Sequence, residues 1–137
     1  VEVIKRYKKI NNMKKEFVPY EQALQLKELG FDEPCFAVYI DKTLIIEDDW
    51  LYSTNQDTFI ESSNFTAPLY QQAFRFFREN YGVKVISVGG DDSQKYSYLI
   101  HLKDNTQVFG PFEKKDTYEE AELACLDKLI EIAKQKQ

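Results

Sequence analysis

The sequence predicts an α+β fold, an antiparallel sheet with helices packed on one face, and three observations lead there. Three segments carry helix punctuation around an apolar stripe of helical period. Between them the pattern changes to period two in β-branched and aromatic residues, the signature of strands. The strand-like runs are separated by short polar turns, Asp41-Lys42, Gly89-Gly90-Asp91-Asp92 and Asp104-Asn105. At 137 residues, 43% hydrophobic and 15% aromatic, the chain is long enough for one core and short for two.

Residues 1–15 hold Lys5, Arg6, Lys8, Lys9, Lys14 and Lys15 against Glu2, a net of +5; the whole chain is at −5, so residues 16–137 carry −10. Residues 1–12 show neither an apolar period nor a cap, which predicts a flexible basic N-terminal arm over 1–15 ahead of a single domain over 16–137. Such an arm suits nucleic acid or anionic lipid. The competing and favoured reading takes Met13 as the natural start and residues 1–12 as an upstream extension.

The first helix is expected from about Pro19 to Leu29, with Pro19 near its first turn, Gly30 at the left-handed position past its end and Phe31 folding back towards Leu26. Cys35–Ile40 then reads as a strand and Thr43–Ile46 as its return. The stretch from Asp48 to Asn64 mixes Trp50, Leu51, Tyr52 and Phe59 with polar residues, and reads as a short edge strand or a long loop. Thr66 is expected to cap the second helix, with Phe65 stapled onto Tyr70. Tyr70, Ala73, Phe74, Phe77 and Tyr81 form its aromatic stripe and Gly82 its end. Val83–Val88, Lys95–Leu102 and Gln107–Phe109 are the next strands; Tyr96, Tyr98, Ile100 and Leu102 share one face, Ser97, Leu99 and His101 the other. Thr117 and Glu120 form a capping box for the last helix, over 117–134, whose Ala121, Cys125, Leu129 and Ile132 repeat at helical spacing. The C-terminal part is therefore α-β-β-β-α.

The blocks FVPYEQALQLKELGFDEPCF (17–36), TAPLYQQAFRFFRENYG (66–82) and TYEEAELACLDKLIEI (117–132) resemble those of a family of small uncharacterised proteins encoded by bacteriophages and mobile elements of gut bacteria. The resemblance implies no reaction, ligand or catalytic residue, and places the variable part of the family over 41–64. Residues 67–134 also resemble the double-stranded RNA-binding domain in element order. In that family lysines at the start of the second helix grip phosphates, and the first strand-to-strand loop enters the minor groove. Here those places hold Thr117-Tyr118-Glu119-Glu120-Ala121-Glu122 and Gly89-Gly90-Asp91-Asp92, which would repel phosphate. Lys114 and Lys115 are too few to reverse that.

No set of residues assembles into a recognisable catalytic site. His101 is the only histidine and lies mid-strand, so it reads as a packed or surface residue rather than a general base. Glu47-Asp48-Asp49 lacks the alternating ligands and turn glycine of a calcium loop, and Gly89-Gly90 lacks the spacing of a phosphate cradle. Neither a metal nor a cofactor is expected. Cys35 and Cys125, the only cysteines, sit in apolar patterns and read as buried thiols of a cytoplasmic protein. No apolar run approaches the roughly 20 residues that span a bilayer and no signal peptide is visible.

The expected function is therefore non-enzymatic: a small phage or mobile-element accessory protein that binds another protein inside the bacterial host. The candidate contact is Trp50 and Tyr52 beside Glu47, Asp48 and Asp49, an aromatic anchor in a charged rim. The plainer role for Trp50 is to plug the edge of the core. Two alternatives stand beside this reading. The acidic body can imitate nucleic acid and inhibit a host DNA-binding or defence enzyme, or the chain is an enzyme with an unrecognised site. Nucleic acid itself is not the expected partner, and the oligomeric state is open.

Overall fold

The computed structural model describes residues 1–46, 54–55 and 64–137, and the chain divides into two compact units, Val1–Gln72 and Ala73–Gln137. In the first unit, the Lys- and Arg-rich segment contains no Gly or Pro and forms helix α1 (Glu2–Lys14), with Glu2 in its first turn and Lys14 in its last. The arm expected to be flexible is thus helical. Its described side chains are all exposed, and burial begins only at Phe17 and Val18. Removing residues 1–12 is expected to shift the melting temperature by no more than about 2 °C, because exposed side chains such as those described in this segment contribute little. A larger drop in a thermal melt would show that Val3 and Ile4 are packed.

Helix α2 (Tyr20–Glu28) ends as its sequence requires. Gly30 takes φ 98°, its N–H donates to Lys27 O at 3.0 Å, and Phe31 N–H donates to Leu26 O at 2.9 Å. These two bonds close a Schellman motif and seat Phe31 in the core. Strands β1 (Ala37–Ile40), β2 (Thr43–Ile46) and β3 (Phe65–Ala67) form an antiparallel sheet in the order β2-β1-β3. Asp41 and Lys42, both at positive φ, make the β1–β2 turn. Tyr20, Tyr39 and Phe65 meet ring to ring at 5.1–5.8 Å, and the Tyr39 hydroxyl donates to Val18 O at 2.7 Å.

Helix α3 (Tyr70–Asn80) begins in the first unit and continues into the second. Thr66 does not cap it. Residues 65–67 pair with β1 instead, so Thr66 is fully buried mid-strand, and the Gln72 side chain reaches back to accept from Leu69 N–H at the helix start. In a chain that can bury Phe65 and Ala67 against β1, strand pairing outweighs one capping bond. At the other end Phe76, Phe77 and Tyr81 stack around one another, and Gly82 turns the chain at φ 68°.

The second unit holds a three-stranded meander, β4 (Val83–Gly90), β5 (Tyr96–Leu102) and β6 (Gln107–Lys115), with helix α4 (Tyr118–Gln135) packed across all three strands. The Thr117 hydroxyl accepts from Glu120 N–H at 3.2 Å, the expected cap. Ala121, Cys125, Leu126, Leu129, Ile130 and Ala133 are buried beside Tyr98, Ile100 and Leu102. The α+β class, the antiparallel pairing and the α-β-β-β-α order agree with the sequence. The strands are shared between two sheets, a distinction that hairpin turns alone do not encode.

Candidate functional site

Glu47, Asp48, Asp49, Trp50 and Tyr52 lie outside the described residues. Within the same segment Asn55 is held firmly. Its side-chain amide donates to Phe31 O at 2.8 Å, and its carbonyl oxygen accepts from Thr66 N–H at 2.8 Å and from the Thr66 hydroxyl at 3.0 Å. Asn55 thus satisfies the polar groups of a fully buried threonine. Asn55→Ala is expected to cost about 1–3 kcal/mol in urea denaturation, the penalty of a buried donor left without its acceptor. A change near zero would mean that water replaces the amide.

The exposed feature best defined by geometry is the sheet face of the second unit opposite α4. Tyr98, Ile100 and Leu102 are buried, so Ser97, Leu99 and His101 alternate onto the other side of β5. The register aligns Val85 and Gln107 with His101, Ser87 and Phe109 with Leu99, and Gly89 with Ser97. The eight positions so aligned, Gly89 among them, hold no Asp, Glu, Lys or Arg, in a chain where 30% of residues are of these types. Phe109 is 70% exposed and Val85 43%, and Phe112, just beyond Pro111, is fully exposed. Exposed apolar patches are, in general, a feature of interaction surfaces.

Half of the face is legible in the sequence, which places Ser97, Leu99 and His101 together. The rest is missed because it depends on the register between strands, which alternation within one strand does not give; β6 also continues past its expected end, through Gly110-Pro111, to Lys115. Pro is tolerated there because β6 is an outer strand. The period-two relation of Gln107 and Phe109 was the available signal. Gly110 is required by packing: a Cβ there would lie 2.4 Å from the Tyr98 hydroxyl.

Charged groups collect instead at one end of the sheet. Asp91 accepts from Ser93 N–H at 2.9 Å and pairs with Lys114, and Lys95 pairs with Asp116. The Lys114 ammonium, then the Ser93 hydroxyl, hold the Asp91 carboxyl below its ordinary range. Gly89-Gly90-Asp91-Asp92 accordingly serves the β4–β5 hairpin, with the strand running through both glycines and Gln94 at positive φ. Among the described residues no group of three His, Cys, Asp or Glu is placed to hold a metal ion. Cys35 and Cys125 are free and buried, and burial pushes both thiols up to about 12, far from the reactive thiolate range. Among the described residues no helix is long and apolar enough to cross a membrane.

The side of the unit that would meet duplex RNA differs from expectation at one position. Glu119, Glu120 and Asp92 are exposed, but Glu122 is 7% exposed and belongs to the buried face of α4. The remaining carboxylates still oppose phosphate. The chain starting at Met13 is expected to show no duplex-RNA binding in a filter or anisotropy assay at about 150 mM salt, where contacts through a basic arm are largely screened. Micromolar binding under those conditions would contradict the charge argument.

Comparison of the chain with protein-family models, with curated proteins and with solved structures finds no match.

Proposed function

We propose that the chain acts by binding another protein, with the uncharged outer face of β4-β5-β6 as a principal contact. The observation that carries this is the exposure of Phe109 and Val85 beside the half-buried Leu99 and His101, with Phe112 exposed further along β6. Aromatic rings standing in solvent are costly to leave bare, and aromatic residues are enriched among the side chains that dominate protein interfaces. The block resemblance supports a setting in which the chain is a phage or mobile-element accessory factor and the partner a bacterial or phage protein. The acidic Trp50 segment is a second anchor by composition. Mimicry of nucleic acid is the weaker reading for the second unit, because Asp91 and Asp116 are paired with lysines.

Affinity capture of the full chain from phage-infected bacterial cells tests the assignment. A partner retained by the wild-type chain is expected to be lost with Phe109→Asp and with Phe112→Asp, both of which replace exposed side chains and leave the core intact. Loss with Trp50→Ala alone would move the contact to residues 47–52 and overturn the sheet-face assignment.

A further inference from the structure

We propose that β4 pairs edge to edge and antiparallel with β4 of a second copy of this chain, making a continuous six-stranded sheet across a two-fold axis through Ser87. Among the described residues β5 is the only strand partner of β4, and the strand stands in solvent, with Lys84, Val85, Ser87, Gly89 and Gly90 all exposed. A Cβ placed on Gly89 would meet nothing within 4 Å. Among the described residues no hydrogen bond other than those to β5 involves Val85–Gly90, which leaves the outer backbone groups of this edge to another strand.

Native sheets guard such edges with charge, proline or bulges. The opposite edge, β6, is guarded in all three ways: Glu113, Lys114 and Lys115, Pro111, and the register shift opposite Tyr96–Tyr98. On β4 the irregularity and the single charge, Lys84, are confined to the start of the strand. From Val85 to Gly90 the sequence VISVGG runs in unbroken register with β5, rich in β-branched residues and free of charge and proline. This stretch is shaped to pair.

Self-complementarity of the stretch points to the occupant. In a chain with 30% charged residues, VISVGG offers no charge with which to attract or select a charged strand, whereas the same stretch of a second copy meets it without any like-charge pair. An isologous two-fold also fits the residue sequence. With Ser87 on the axis, Val85 faces the partner's Gly89 on the outer side and Ile86 faces the partner's Val88 on the α4 side. Large meets small on one face and two β-branched residues meet on the other, a favourable cross-strand set. The pairing joins the two outer faces edge to edge, and it rests on the edge of β4 whatever partner those faces take.

Light scattering coupled to size exclusion is expected to give twice the 16.1 kDa chain mass for the full chain, and the chain mass for Ser87→Arg, which sets two like charges on the axis. Circular dichroism of that variant should match the wild type, because Ser87 is exposed. Independently, Ser87→Cys is expected to form a disulfide-linked dimer on mild oxidation, while Ser97→Cys, on the inner strand of the same face, stays unlinked. A monomeric wild-type chain at every concentration overturns the proposal. So does a dimer that Ser97→Cys links and Ser87→Cys does not, since that result describes stacked faces instead of paired edges.

Discussion

Leu129→Ala is expected to destabilise the protein by about 2–5 kcal/mol, the range for removing a buried leucine and leaving a cavity. Leu129 has no solvent exposure and lies mid-way along α4, between Leu126 and Ile132, with Cys125 and Ala133 one turn away on either side. Those neighbours are themselves buried and anchored to a helix that crosses three strands, so the surroundings have little freedom to collapse into the space. Alanine keeps helix propensity, which isolates the packing loss from any backbone effect. Urea denaturation measures the change, and a value below about 0.5 kcal/mol, typical of a surface site, would mean that α4 is not docked through this residue.

Phe65→Ala is expected to cost about 3–5 kcal/mol. Phe65 is 1% exposed and sits in the shortest strand of the first unit, where its ring lies 5.1 Å from Tyr20 and 5.8 Å from Tyr39. Three losses coincide: the buried ring area, two aromatic contacts, and the main reason for residues 65–67 to leave the start of α3 and join β1. Phe65→Leu retains most of the apolar volume and is expected to cost clearly less. Equal effects of the two substitutions in denaturation, or no loss of near-ultraviolet dichroism from the tyrosine cluster with Phe65→Ala, would count against the ring contacts.

Local chemistry made much of this fold readable. The Thr117 cap, the Gly30 Schellman turn and the Gly82 helix end are each decided within a few residues, and each stands where its spacing predicts. Non-local competition was not readable. Thr66 carries a sound capping signature, yet β1 and Asn55 bid for the same residues from elsewhere in the chain and win. Gly110-Pro111 ends most strands but not an outer one. The basic segment at 2–14 has adequate helix propensity but lacks the apolar period that usually announces a helix. For the candidate site, alternation along β5 gave one row of the outer face, while the rows on β4 and β6 followed only from the register between strands.

The two sheets differ in how far the chain must travel to complete them. In the second, each strand pairs with the next through a short turn, so every rung forms between sequence neighbours. In the first, β1 and β2 are adjacent in sequence, whereas 18 residues of sequence separate Ile46, the end of β2, from Phe65, the start of β3. Closing a longer loop carries a larger entropy cost before any contact rewards it, and pairings distant in sequence are the slow ones. The meander of the second unit therefore needs less chain closure than the pairing of β3 with β1. Asn55, bonded to both Phe31 and Thr66, ties one point of that intervening sequence to α2's end and to β3.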